Sequence, residues 1–131
     1  MRLLILGGTV FLGRHVSEQA LERGHELTLF TRGQTNAGLF PDAEHLHGDR
    51  DGGLAPLAGR EFDAVIDTSG YFPRVVADSA RLLAPACGHY TFVSSVSVYD
   101  RTAVPEATST GRSAPSTTPP SRRSRRPAMA R

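Results

Sequence analysis

At 131 residues, with a net charge of +2, 39% hydrophobic residues and a single cysteine, the chain is sized for one domain with its own core and excludes an intramolecular disulfide. No apolar run approaches the length of a bilayer-spanning helix, so no membrane partner is expected, and the lone thiol points to a reducing compartment, the cytoplasm. The charge is uneven: residues 1–100 hold 8 arginines against 12 acids, residues 101–131 hold 7 against Glu106 alone, and lysine is absent.

The chain opens on an apolar run, Arg2 to Leu6, which reads as a buried parallel strand. Gly7 makes the tight turn that leaves it, and Gly13 lets the following helix lie close to the sheet. Val10 stands where a third glycine would bring backbone nearest a pyrophosphate. Strand, glycine turn and helix in that order leave unpaired N–H groups at a helix N-terminus, a setting that favours a phosphate. An ordinary turn without ligand and a secretory signal are the bland alternatives. The second is opposed by the glycines, by Arg14-His15 and by the lack of a small-residue cleavage site.

Leu12, Val16, Ala20 and Leu21 share a helix face, and Gly24 ends that helix. A second strand spans His25 to Thr31, and a third spans Glu44 to His47 after a loop through Gly33, Asn36, Gly38 and Pro41. A turn at residues 48–53 leads to a weak helical piece near Leu54 to Ala58, then a fourth strand from Phe62 to Thr68. Pro73 starts a helix carrying Val75, Val76, Ala80, Leu82 and Leu83, and His89 to Ser95 is a fifth strand preceded by Cys87, read as a small buried hydrophobe. Alternating strands and helices imply an α/β fold: a Rossmann-type doubly wound parallel sheet of about five strands in the order 3-2-1-4-5. The ligand crevice is expected above the carboxyl ends of strands 1 and 4. Residues 1–100 form this partial domain. Residues 101–131, rich in Arg, Ser and Pro, are expected to be a disordered tail.

Three motifs carry a family likeness: Leu6-Gly7-Gly8-Thr9 with Phe11-Leu12-Gly13, Phe62 to Asp67, and Phe92 to Tyr99. They resemble the N-terminal part of the short-chain dehydrogenase/reductase superfamily, in its extended and atypical branch of NAD-dependent epimerase/dehydratases. That resemblance implies a dinucleotide cofactor and a small-molecule substrate that the sequence does not identify. It places Gly7, Thr9, Val10, Phe11, Leu12 and Gly13 at the pyrophosphate, and Asp49 and Arg50 toward the adenine ring. Thr68, Ser69 and Gly70 become a wall near the ribose, and Ser95 the catalytic serine that hydrogen-bonds the reacting oxygen.

About 20 residues past the glycine turn, Thr31 and Arg32 stand where a ribose-binding acid is expected. An arginine there suits a 2′-phosphate and favours NADP over NAD, although a solvated loop arginine is the plain alternative. The family's chemistry uses a tyrosine with a lysine four residues later. Here Tyr71, Tyr90 and Tyr99 are followed at that spacing by Val75, Ser94 and Ala103, and no lysine exists. The expectation is therefore a truncated or frame-shifted, catalytically impaired fragment, with foreign sequence from about residues 101–112. Whether the chain is an enzyme stays open.

The rival reading is a non-catalytic NADP-sensing or RNA-binding protein on the same fold. Arg122, Arg123, Arg125 and Arg126 would contact phosphates, but no aromatic residue interleaves them, so nucleic acid is not the expected partner. His45, His47 and Asp49 make too thin a set for a metal site, and none is assigned.

Overall fold

The structure, a computed structural model, describes residues 1–95. Five strands, β1 (Arg2–Leu6), β2 (Glu26–Thr31), β3 (Glu44–His47), β4 (Phe62–Asp67) and β5 (Cys87–Phe92), run parallel in the order β3-β2-β1-β4-β5. This is the expected order. β1 lies at the centre because Leu3, Leu4, Ile5 and Leu6 are apolar on both faces of the pleat, and all four are buried. In register, Leu4 stands between Thr28 and Val65, and Leu6 between Phe30 and Asp67.

Helix α1 (Phe11–Glu22) covers one face of the sheet and helix α2 (Pro73–Leu83) the other. Ala20 of α1 joins Leu3, Ile5, Leu27 and Leu29, whereas Leu83 of α2 joins Leu4, Leu6, Phe30 and Val65. Alternation along β1 therefore divides its side chains between two cores. α1 ends as expected at Gly24, whose φ of 72° suits glycine; the His25 N–H donates to Ala20 O at 3.0 Å and the Gly24 N–H to Leu21 O at 2.9 Å. Pro73 occupies the first turn of α2, where its missing N–H costs nothing.

Several boundaries differ from the sequence reading. β2 begins at Glu26 and β4 ends at Asp67, while the piece near Leu54 is a single 3₁₀ turn, Ala55–Leu57. β5 begins at Cys87 and ends at Phe92, earlier than His89 to Ser95, after an unforeseen 3₁₀ turn at Ala84–Ala86. Its half-exposed residues carry no apolar run to mark them. Cys87 is thus the first residue of the strand, half-buried against the core. Among the described residues no helix is long and apolar enough to cross a membrane. The expected tail at residues 101–131 lies outside the described residues.

Candidate dinucleotide cleft

The parallel strands all end on the same side, and the exits of β1, β2, β3 and β4 line a cleft of about 690 Å³. Its floor is the turn from β1 to α1. Gly7 and Gly8 both take left-handed φ values, 103° and 104°, which fold the chain back over the sheet. A Cβ on Gly8 would lie 2.7 Å from Leu29 Cδ2. A Cβ on Gly13 would lie 2.7 Å from Gly8 N and 2.8 Å from Gly8 Cα, so only glycine lets the first turn of α1 close down on the loop.

Ser17, fully buried one turn further along α1, donates its hydroxyl toward Gly13 O at 2.8 Å, with Gly8 O at 3.2 Å. Because a trans peptide holds its C=O and N–H on opposite sides, drawing the Gly8 carbonyl inward turns the Thr9 N–H outward. Val10 precedes the helix in an extended conformation, φ −131°, and Phe11 carries φ 34° with 79% of its surface exposed at the mouth. The first helical bond runs from the Arg14 N–H to Val10 O. Among the described residues the N–H groups of residues 8–13 therefore have no protein acceptor, and the positive end of α1 faces the cleft.

One wall is the exit of β2. The Thr31 hydroxyl accepts from the Gly33 N–H at 3.1 Å, and the Asn36 amide donates to Thr9 O at 2.9 Å, tying this loop to the glycine turn. Arg32 is exposed and, among the described residues, pairs with no carboxylate. The opposite wall joins residues 48–51 to the β4–α2 loop. Asp49 accepts from the Asp51 N–H at 2.8 Å, and Asp51 binds Arg74 through two bonds of 2.5 and 2.9 Å. The Arg74 hydrogen bonds hold the Asp51 carboxyl below the ordinary carboxylate range, and Asp51 in turn raises Arg74.

Arg50 points inward. Asp67 at the end of β4 is 0% exposed, and its carboxylate accepts from Arg50 Nη1 at 2.6 Å and Nη2 at 2.8 Å, from the Ser69 N–H at 3.1 Å and from the Tyr90 hydroxyl at 2.9 Å. Ser79 of α2 accepts from Arg50 Nη2 at 2.8 Å and donates to Val75 O at 3.0 Å. No buried side-chain polar atom among the described residues is left without a partner. Burial pushes the Tyr90 phenol up, and the adjoining Asp67 carboxylate pushes it further.

Of the residues singled out in the sequence, Gly7, Thr9 to Gly13, Thr31, Arg32, Asp49, Arg50, Thr68 and Ser69 line the cleft together. Gly70 does not: a Cβ there would collide with Val76 and Phe92, so it serves close packing beside the cleft. Ser95 lies three residues past β5 and is exposed, also outside the lining. Gly8, Ser17, Asp67, Ser79 and Tyr90 are not among the site residues expected from the sequence, nor are Tyr71 and Phe72, which are exposed on the lining. Asp67 left a signal, an acid that closes the apolar run Ala64-Val65-Ile66 of β4. His45 Nε2 lies 3.0 Å from Phe40 O, its ring centroid 6.3 Å from that of His47, and no described group of three could hold a metal ion.

No protein-family model matches the chain. A stem-loop binding protein of 41 kDa from Arabidopsis thaliana chloroplasts is 33% identical over 114 residues, covering 75% of this chain. Among solved structures, a UDP-galactose 4-epimerase matches 88% of the chain at TM-score 0.71 and 20% identity. The Bordetella bronchiseptica enzyme WbmG, solved with NAD and UDP, matches 88% at TM-score 0.66 and 16% identity. The UDP-glucose-4-epimerase of Stenotrophomonas maltophila, solved with NAD and formylated UDP-arabinopyranose, matches 87% at TM-score 0.65 and 17% identity. These structural likenesses establish the fold. The chain spans 30% of the Arabidopsis relative and 43–45% of the three solved enzymes, in each case a part only.

Proposed function

Because the chain represents an N-terminal part of the NAD-dependent epimerase/dehydratase family, we propose that it binds a nicotinamide dinucleotide in the cleft above β1 and β4. The observation that carries this reading is the row of unpartnered N–H groups from residues 8–13 at the positive end of α1. Gly7, Thr9, Val10, Phe11, Leu12 and Gly13 hold the pyrophosphate. Asp49 and the loop carrying Arg50 face the adenine, and Thr68 and Ser69, backed by Gly70, border the ribose. Arg32, exposed beside Thr31 at the end of β2, takes a 2′-phosphate, which favours NADP. Two of the structural neighbours hold NAD, so both cofactors belong in the test.

Ser95 polarises a substrate oxygen in this reading. With no lysine in the chain the family's acid–base pair is missing, and turnover by these 131 residues falls by about 10²–10⁴-fold. The shift to Arg/Ser/Pro-rich sequence near residues 101–112 fits a changed reading frame, which sequencing the locus checks. With Cys87 the single cysteine, the cytoplasm suits the chain. Calorimetric titration of the full chain with NADP and with NAD tests the binding reading. Micromolar binding, tighter for NADP, is the expected result, and no heat with either dinucleotide contradicts it.

A second reading, RNA binding on the same fold, is favoured by the Arabidopsis relative, a stem-loop binding protein. Filter binding of a stem-loop RNA at two salt concentrations, with and without residues 112–131, separates the two. A steep salt dependence that vanishes with those residues supports phosphate contacts from Arg122 to Arg126.

A further inference from the structure

We propose that Arg50 is a positioning residue that sets how tightly the cleft takes the adenine half of its ligand; this rests on the dinucleotide reading above. The family resemblance implies an Arg50 that approaches the adenine ring. Instead its side chain is 11% exposed, and Nε, Nη1 and Nη2 are all spent on Asp67, Ser69 and Ser79. Arg50 thus carries little free charge into the cleft. It acts as a peg driven from the β3–β4 loop into the carboxyl end of the sheet.

Within residues 48–53 no other side chain is anchored at that depth; the next buried side chain of the connection is Leu57, seven residues on. Gly48 N–H donates to Thr31 O at 3.0 Å and Gly53 N–H to Asp49 O at 2.8 Å, which closes the turn on itself. Asp51 reaches Arg74 only on the surface, with both side chains more than half exposed. Asp49, exposed and lining the cleft, is next in sequence to the peg, so the depth of Arg50 fixes where that carboxylate stands. The far end of the peg is held by three further elements: Asp67 on β4, Ser79 on α2, and Tyr90 on β5 through Asp67. A bidentate, fully partnered pair gives the geometric definition that a single point charge would not.

The test is the affinity of the full chain for two half-ligands, AMP and nicotinamide mononucleotide, in Arg50→Lys and in Arg50→Met/Asp67→Leu. Lysine keeps the charge and loses the fork. The double variant removes both charges together, so no lone buried carboxylate is left to unfold the protein. The expected result is AMP binding weakened about tenfold, the equivalent of one ligand hydrogen bond, with nicotinamide mononucleotide binding unchanged and circular dichroism native. Equal AMP affinity in folded variants overturns the proposal and leaves the dinucleotide reading intact. Equal losses for both halves, or loss of fold in both variants, make the pair a general brace and overturn it too. No binding of either half by the unsubstituted chain overturns the dinucleotide reading itself, and this inference with it.

Discussion

Tyr90 shows how much a single partner matters in this sheet. Its hydroxyl donates to a carboxylate that is already taken by a guanidinium, and burial holds the phenol in its neutral form. The native state therefore keeps this proton to higher pH than the unfolded chain does. Its contribution to stability is whole below the ordinary tyrosine value of about 10 and fades as pH rises through the folded value. An ultraviolet difference titration between the unsubstituted chain and Tyr90→Phe isolates this phenol. It is expected to ionise above the ordinary range, together with alkaline unfolding; ionisation at the ordinary value would contradict the Asp67 contact. Asp67 itself tolerates no orphaning. Arg50→Met alone, which leaves the carboxylate buried and uncompensated, is expected to lower stability by about 3–5 kcal/mol in a denaturant titration. A loss under 1 kcal/mol would mean that the pair is far more hydrated than its burial implies.

Among the elements, the β1–α1 unit forms the floor of the cleft, and its fit depends on absent side chains. Gly13→Ala places a methyl 2.7 Å from Gly8 N, against backbone that cannot swing aside. The expected cost is about 1–3 kcal/mol of stability together with weakened dinucleotide binding, read by denaturant titration and calorimetry. A variant with native stability and affinity would show that the turn and helix are looser than drawn. Much of this unit was legible in the sequence. An apolar run buried on both faces, two glycines and a helical stripe can be read without tertiary knowledge, because each is a local rule. The C-terminal Gly24 of α1 and the first-turn Pro73 of α2 were legible for the same reason. β5 was not, since its residues are half exposed and its start is set by pairing of Cys87 with Phe62 rather than by its own pattern. The Arg50–Asp67 pair was equally hidden: its partners lie 17 residues apart on different elements, and no periodicity links a loop cation to a strand-end acid. Ser17 and Ser79 lie outside any apolar pattern, yet both are buried and bond back to the preceding turn at 2.8 and 3.0 Å.

For the described residues as a whole, the arrangement is a parallel sheet in which the exits of β1 to β4 converge on one cleft, with the helix dipole of α1 at its floor and two loop clasps at its sides. The clasps are Asn36 to Thr9 and Asp51 to Arg74. The chain spans less than half of the solved enzymes whose fold it shares, so the test of the account is made on the cleft that its described residues build. The most direct measurement is amide-resolved nuclear magnetic resonance during titration of the full chain with NADP. Saturable shifts concentrated at the amides of residues 8–13, with smaller ones at Arg32 and Asp49, are the predicted result. An unchanged spectrum, or shifts confined to residues 101–131, would contradict the account.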